Sequence, residues 1–324
     1  MLCAALATIT MAAGTCTCAN GFPEKPVRLI VPYSAGANAD LLGRIVARKL
    51  QESWGQAMTV ENLPGGESRF GVATAAKAPP DGYTLVMVTP AFVTNATSAK
   101  KLTYDSLRDF SPVTLVATSP LLLVTHPSMP AKNVAELLAL AKSKLDSIAY
   151  ASSGQGSLSH LGMELLRGYG ALLLHTPYQS TAAGVTDLLG GQVQVMLVSL
   201  NLVKPHVKAL RLRALGVSTA KRSAALPQVP AIAETLKDYE VINWWGVLAP
   251  ADTPIGVVNQ LNSGVVRLLR DTDVQETLAQ EGIDRAGSSP AEFGTHLRSE
   301  FAKWSKLARD RNSRIDEPLR SPRH

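Results

Sequence analysis

Small and hydroxyl-bearing residues form a loop between the first predicted strand and the first predicted helix. The apolar run Val27–Val31 ends at Pro32, and a periodic apolar segment begins at Ala39. The loop between them holds six candidate ligand-binding residues: Tyr33, Ser34, Ala35, Gly36, Ala37 and Asn38. A helix N-terminus offers unpaired N–H groups and the positive end of a dipole, so this loop suits an anionic group such as a carboxylate. A plain turn whose polar residues only cap the helix is the alternative interpretation.

Loops of similar composition follow later predicted strands. Open α/β sheets bind ligands outside the carboxyl ends of their strands, so these loops are candidates for the same site. Their candidate residues are Thr89, Pro90, Ser152, Ser153, Gly154, Gly156, Ser157, Tyr178, Gln179 and Ser180. Serine and threonine at helix starts can cap the helix or donate to a ligand oxygen. Together the loops favour an oxyanion site on both sides of a cleft.

His160 is the histidine nearest to one of these loops. A nucleophilic pair with Ser153 or Ser157 would need an orienting carboxylate and an oxyanion hole, and the chain has no GxSxG motif. We therefore predict that His160 packs inside the helix and holds the loop by a hydrogen bond. A ligand contact is the second interpretation, and a secreted hydrolase is the third.

The chain lacks the sequence motifs of dinucleotide binding, phosphate-loop nucleotide binding and HExxH metal binding. Gly154-Gln155-Gly156 lacks the third glycine and the following acidic residue of a dinucleotide fingerprint, and no GxxxxGK or HExxH sequence is present. The formal net charge of +6 over 324 residues is too small to indicate a nucleic-acid partner. We predict no cofactor, no metal and no enzymatic activity.

The first 20 residues resemble a secretory signal, although no Lys or Arg precedes their apolar run. All three cysteines, Cys3, Cys16 and Cys18, lie in this segment, so the exported chain would have no disulfide. Lipidation of Cys16 or Cys18 is an alternative. The charged segment 311–324 is predicted to be disordered.

Strand-like and helix-like segments alternate through the rest of the chain, which predicts an α/β fold with parallel sheets covered by helices. A chain of 324 residues exceeds one small sheet, so two domains are expected. Thr114–Val124 is a long apolar segment, which Pro120 interrupts. Helices are predicted over residues 229–236 and 290–308, among others.

Several ordered segments resemble the Bug-type substrate-binding proteins of tripartite tricarboxylate transporters. FPEKPVRLIVPYSAGANAD is similar to the family form YPxKPIRxIVPFxxGGxxD, and VENLPGGESRFGVATAAKAPPDGYTLVM to VENRPGAGGxIGxxxVAxAxPDGYTLL. YASSGQGSLSHLGMELL, TPYQSTAAGVTDLLGGQVQVM and WWGVLAPADTPIGVVNQLNSGVVRLLRD also have counterparts. The resemblance covers residues 22–309.

The resemblance implies a periplasmic binding protein of two-domain Venus-flytrap form (type II-like), with its ligand cleft between the domains. Domain 1 would comprise residues 21–119 and 246–310, and domain 2 residues 120–245. The family typically holds a carboxylate with main-chain groups and ordered water from two loops, here 33–38 and 152–157. The implied partners are a small carboxylate ligand and membrane permease subunits, and the protein would be a monomer. A sensor signalling to a membrane receptor is the alternative role.

Four departures from the family pattern concern the site. Ala37 replaces a glycine, which limits positive φ at that position. Gln179 and Ser180 replace a basic residue and a glycine, and Ser199 lies in a stretch where the family often has Asp. Glu67 and Arg69 alter the PGAGG loop. The ligand's distal end is therefore where this chain is expected to differ most from the family.

Overall fold

The computed structural model describes residues 21–97, 102–143 and 147–315. The predicted signal segment therefore lies outside the described residues. The strands are β1 (Val27–Val31), β2 (Met58–Asn62), β3 (Thr84–Val88), β4 (Phe110–Thr125), β5 (Ala149–Ser152), β6 (Leu174–Pro177), β7 (Val195–Ser199), β8 (Arg213–Val217), β9 (Ile242–Pro250) and β10 (Asp284–Arg285).

Helices alternate with these strands through most of the described chain. They are α1 (Asn38–Trp54), α2 (Arg69–Ala76), α3 (Pro90–Thr97), α4 (Val134–Ser143), α5 (Leu158–Gly168), α6 (Thr181–Leu189), α7 (Leu200–Lys208), α8 (Ile255–Leu268), α9 (Thr272–Gln280) and α10 (Pro290–Ile315). A 3₁₀ turn spans Ile232–Glu234.

The strands form two joined sheets that share β4. The first sheet has the order β2-β1-β3-β9-β4, with β10 also on β4, and the second has the order β4-β7-β5-β6, with β8 also on β4. We call the part of the molecule built on each sheet the first and second lobe. The pairs β1–β2, β1–β3, β5–β6 and β5–β7 are parallel, so the carboxyl ends of these strands face one edge in each lobe.

The prediction of parallel sheets is wrong for the returning strands. β9 runs antiparallel to β3, and β4 runs antiparallel to β7, β8 and β9. These two strands connect the lobes instead of belonging to βαβ units, so the right-handed crossover that makes neighbours parallel does not apply to them.

β4 crosses from one lobe to the other as a single strand of 16 residues. Residues 110–120 pair with β9, whereas Leu121 and the residues after it pair with β7 and β8. The chain returns to the first lobe through β9, whose pairing with β4 begins at Ile242, opposite Pro120. Residues 242–245, predicted to lie in the second domain, therefore pair within the first sheet.

Three apolar cores support this arrangement. One lies between the first sheet, α1 and α8, and includes Leu29, Leu42 and Leu261. A second covers one face of the second sheet under α6 and α7. The third is continuous across both lobes and joins residues of α3 and α10, such as Phe92, to residues of β5 and α5.

Some elements differ from the sequence prediction. α3 and α7 were not predicted, and the helix predicted over 229–236 is only the 3₁₀ turn. α10 extends to Ile315, so residues 311–315 are helical instead of disordered. Residues 316–324 lie outside the described residues.

Candidate functional site

The loop between β1 and α1 is organised around the carboxylate of Asp40, in the first turn of the helix. Asp40 Oδ2 accepts from the Gly36 amide at 2.9 Å and from Arg44 Nε at 3.0 Å, and Oδ1 accepts from Asn62 Nδ2 at 2.9 Å. Burial raises the pKa of Asp40, but these hydrogen bonds outweigh burial and hold the pKa below its ordinary value. Sequence reasoning missed Asp40, although an acidic residue in a first helical turn is a readable signal.

The outer part of this loop leaves amides available. Ser34, Ala35 and Gly36 are exposed, and Gly36 takes a φ of 85°, which favours glycine. In the described chain, the amides of Ser34, Ala35 and Asn38 have no hydrogen-bond partner. Ala37 has a φ of −72°, so the missing glycine at this position imposes no strain.

Tyr33 joins the β1 and β3 loops. Its hydroxyl lies 2.6 Å from Thr89 Oγ1, which also accepts from the Ala91 amide at 3.3 Å. Burial raises the pKa of Tyr33, while hydrogen bonding to Thr89 and Ser68 acts in the opposite direction. Pro90 is buried as the first residue of α3, where its missing N–H costs no hydrogen bond, so it belongs to a helix and not to the predicted loop.

The second-lobe loop between β5 and α5 is closed by its own side chains. Ser152 Oγ accepts from the Gly154 amide at 3.2 Å, and Ser157 Oγ donates to the Gly154 carbonyl at 2.7 Å. Ser157 also caps α5 by accepting from the His160 amide at 3.3 Å. Gly154 and Gly156 have φ values of 108° and 82°, which a side chain would strain.

His160 is buried and holds this loop, as the structural interpretation predicts. Its Nδ1 accepts from the Gly156 amide at 3.1 Å, and its side chain is 1% exposed. Its ring stacks on His175 at 4.3 Å, and His175 Nε2 lies 2.7 Å from Ser152 Oγ. Sequence reasoning missed His175, because β6 brings it to the loop from 23 residues beyond Ser152.

The serine–histidine arrangement differs from the one a hydrolase would need. Ser157 Oγ already donates to the Gly154 carbonyl and accepts from the His160 amide. His160 Nδ1 already accepts from the Gly156 amide. The pair that the structure does form is Ser152 with His175, and Ser152 is fully buried. A nucleophile has to reach its substrate, so this geometry does not favour hydrolysis.

The remaining predicted residues border the same edge of the second sheet. The Tyr178 amide donates to the Ser152 carbonyl at 2.9 Å, which fixes the two loops to each other. The Tyr178 phenol donates instead to Asp187 at 2.7 Å, and burial together with this carboxylate raises its pKa to about 12. Ser180 caps α6, Gln179 is exposed, and the half-buried Ser199 ends β7.

Two surface grooves lie elsewhere. One, of about 390 Å³, runs along α1 and β2 and is lined by Leu41, Arg44, Arg48 and neighbouring residues. The other, of about 310 Å³, lies between α8 and β10. Neither contains a predicted site residue. None of the helices that the structure describes has the length and apolarity needed to cross a bilayer.

Comparison with known proteins agrees with this architecture. A relative from Pseudomonas sp. (strain P51), named UPF0065 protein in tcbD-tcbE intergenic region, is 37% identical over 291 residues, which is 89% of this chain and 87% of the relative. The solved structure of R. palustris Rpa4515 with adipate is 34% identical with a TM-score of 0.77, covering 89% of this chain and 97% of that one. The periplasmic binding protein BugD is 30% identical with a TM-score of 0.73, covering 89% and 98%.

The family comparison covers most of the described chain. Residues 42–313 match the model of the tripartite tricarboxylate transporter family receptor. Three features agree with this match: the ordered motifs of the sequence, the two-lobed mixed sheet, and the loops 33–38 and 152–157, which follow parallel strands in each lobe. The chain therefore belongs to the tripartite tricarboxylate transporter receptor family, the TctC solute-binding proteins.

Proposed function

We propose that the protein is a periplasmic solute-binding protein that captures a small carboxylate between the 33–38 and 152–157 loops. The observation that supports this most directly is the set of unpartnered amides at Ser34, Ala35 and Asn38, at the exposed N-terminus of α1. Such amides are suited to an anion. A second glycine- and serine-rich loop begins α5 at the corresponding edge of the other lobe.

Ligand capture would proceed by closure of the lobes. The carboxylate docks on the first-lobe amides, and the second-lobe loop then closes over it by a hinge motion. Closure is favoured because the ligand contacts both loops only in the closed state. The dipole of one helix contributes about 0.3–1 kcal/mol, so hydrogen bonds to the charged group, at about 1.5–3 kcal/mol each, supply most of the affinity.

The hinges would lie where the sheet pairing changes. β4 exchanges its partners after Pro120, and the return strand joins the first sheet at Ile242. We place the lobe boundaries at these two positions. Permease subunits would receive the ligand from the closed monomer. The solved R. palustris relative contains adipate, so aliphatic acids are the first ligands to test.

Thermal unfolding of the purified protein against a panel of carboxylic acids tests this function. An acid at one hundred times its Kd stabilises by about 2.7 kcal/mol, which raises Tm by several degrees. Ser153→Leu, at the half-buried second-lobe loop, should abolish the shift. Ser143→Leu, on an exposed position of α4, is the matched control and should leave it intact.

Two results would contradict the proposal. A folded, ligand-free protein whose Tm does not respond to any acid would exclude carboxylate capture. A shift that survives in Ser153→Leu would place the ligand outside the paired loops.

A further inference from the structure

Residues 188–233 of the second lobe contain basic residues but no acidic ones. The sequence of this stretch has six Lys and Arg residues and no Asp or Glu. Two of the six are used inside the protein: Arg213 donates to the Met129 carbonyl at 2.7 Å, and Arg222 forms an ion pair with Glu234 at 2.8 Å. The other four are Lys204, Lys208, Arg211 and Lys221. This part of the second lobe therefore presents charge of one sign.

Three of these cations lie in the last turns of α7 and just after it. Lys204 and Lys208 are four residues apart, so they lie on the same side of the helix, and Arg211 follows two residues after the C-cap, Ala209. Lys208 and Arg211 are exposed. None of the three forms an ion pair within the part of the chain that the structure describes. Their charge is therefore available to an anionic partner.

The residue between the last two cations is an exposed leucine in a conformation that favours glycine. Leu210 is 83% exposed and has a φ of 57°. Its amide donates to the Val207 carbonyl at 3.1 Å, and the Arg211 amide donates to the His206 carbonyl at 2.9 Å, which is the pattern of a Schellman cap. Glycine is usual at the left-handed position of this cap, because a side chain there is strained. The fold therefore gains little from this leucine, which points to a role outside the fold.

The turn that holds Leu210 lies at the edge of the second sheet opposite the candidate site. β8 begins at Arg213, which pairs with Thr125, and Thr125 also pairs with Val195 at the start of β7. The 152–157 loop instead follows the end of β5, which runs parallel to β7. A partner bound at the turn would therefore leave the ligand loops free.

We propose that Lys204, Lys208, Leu210 and Arg211 form a contact surface for a bilayer that contains anionic phospholipid. The leucine inserts between the lipids, and the three cations contact the phosphate groups around it. Lysine and arginine suit such a surface, because their long stems lie along the apolar region while their charges reach the phosphates. The contact holds the protein beside the membrane whether or not a ligand is bound, so it is independent of the proposed carboxylate capture.

Two observations favour a lipid surface over an acidic protein. Protein interfaces bury about 20–30 residues on each side and are depleted in lysine at their centre. Here a lone exposed leucine stands between charged residues, and both grooves described above lie on the first lobe. A bilayer needs no shaped groove, because its affinity adds the insertion of apolar side chains to the attraction of nearby cations.

Co-sedimentation of the purified protein with lipid vesicles tests this surface. The probes are vesicles of phosphatidylcholine alone and vesicles of phosphatidylcholine and phosphatidylglycerol in equal parts. At low salt the protein should bind the anionic vesicles about tenfold more tightly or better, and added salt should weaken this binding by screening. Lys208→Gln and Arg211→Gln should each lower the affinity by about fivefold, as expected for one cation near an anionic surface.

Variants of Leu210 separate this role from a structural one. Leu210→Gly relieves the strain of the positive φ, so it should keep or raise Tm while it lowers the affinity for anionic vesicles by about tenfold. Leu210→Trp should retain binding, because it keeps a large apolar side chain. The fluorescence that this tryptophan adds to the wild-type spectrum should shift to shorter wavelength with anionic vesicles and not with neutral ones.

Two exposed residues of the first lobe provide matched controls. Ile255→Ser removes an apolar side chain that is 71% exposed at the start of α8, and Lys77→Gln removes an exposed lysine at the end of α2. Both variants should bind vesicles as the wild-type protein does. Comparison among variants also cancels any contact that another part of the chain makes with lipid.

Three results would overturn the proposal. Equal binding to both kinds of vesicle would show that the cations do not direct the contact. Binding to anionic vesicles that survives in Leu210→Gly, Lys208→Gln and Arg211→Gln would place the contact elsewhere in the chain. The absence of binding to anionic vesicles would assign the basic turn to an acidic protein instead. None of these results bears on carboxylate capture, which the thermal unfolding experiment tests separately.

Discussion

Asp40 gives the first-lobe loop its own internal anion. The buried carboxylate accepts from the Gly36 amide, from Arg44 and from Asn62, so it connects the loop, α1 and the end of β2. The loop is therefore held in place through the Gly36 amide, and the amides of Ser34, Ala35 and Asn38 do not donate to this carboxylate. The residue is a positioning group for the amides that the ligand would contact.

Asp40→Asn should destabilise the protein by about 1–3 kcal/mol at pH 7, because it replaces a buried charged acceptor. The folded-state pKa of Asp40 lies below its ordinary value of 3.8, so the carboxylate's stabilisation is complete above about pH 4 and is lost as the pH falls through the folded-state pKa. Urea unfolding should therefore show a larger deficit at pH 7 than at pH 3. The exposed Asp252→Asn is the control and should show no comparable deficit at either pH.

His160→Phe tests the hydrogen bond that holds the second-lobe loop. Phenylalanine keeps an aromatic ring beside His175 but cannot accept from the Gly156 amide. Affinity for the acid that gives the largest thermal shift should fall by about tenfold, since the loop amide loses its buried partner. His126→Phe, a half-buried histidine beside Ser128, should have no such effect. Unchanged binding in His160→Phe would show that the loop keeps its shape without this acceptor.

At the scale of elements, the short helices determine where the loops lie. α2 has only eight residues, and its third position, Gly71, packs directly against Pro32 and the Leu63 carbonyl. Because these neighbours include backbone atoms, an added side chain would displace the helix. The first-lobe loop begins at the residue after Pro32, so the displacement would reach the candidate site.

Gly71→Ala should lower stability by about 1–3 kcal/mol, the range for overpacking, and should also weaken ligand binding. Gly168→Ala at the end of α5 is the matched control, because a Cβ there meets open space. Helix propensity predicts that this control keeps or slightly raises stability. Thermal unfolding with and without ligand measures both effects. A Gly71→Ala protein as stable as the control would show that α2 can shift without cost.

Local sequence patterns predicted the elements whose burial is periodic or continuous. β1 has its predicted bounds, Val27–Val31, since an apolar run that ends at a proline is a strong local signal. α7 has a proline inside it, at Pro205, and α3 is only eight residues long, so neither gives that signal. Strand direction depends on how the chain returns between lobes, which no local pattern encodes.

The candidate site likewise has a part that local sequence could predict and a part that it could not. The loops at the carboxyl ends of the strands could be predicted, because their composition and their position before helices are local features. The groups that shape them are more distant. Asn62 reaches Asp40 from β2, and His175 reaches Ser152 from β6, so both contacts exist only after the parallel strands have paired.

At the scale of the whole molecule, the two lobes are connected through one core. α10 lies against β4, α3 and α5, and its buried Glu300 accepts from both Trp244, at 3.3 Å, and Trp304, at 2.9 Å. The apolar core beneath it contains residues of both sheets. A motion of the lobes would therefore have to rearrange or preserve the packing of this shared core.

Ligand-driven closure should be measurable in solution. Small-angle X-ray scattering should show a smaller radius of gyration when the protein is saturated with the acid that gives the largest thermal shift. Ser153→Leu, which should not bind the ligand, is the control and should keep the unliganded radius. An unchanged radius in the saturated wild-type protein would show that binding does not move the lobes.

The placement of β9 also determines the order in which the polypeptide can fold. Val86 of β3 pairs with Leu248 of β9, so the first sheet needs segments from opposite ends of the sequence. Residues 121–241 of the second lobe, by contrast, are contiguous. Pairing between distant segments is slow and comes late. A chain emerging from the ribosome therefore cannot complete its first sheet until β9, which begins at the last quarter of the sequence, has been synthesised.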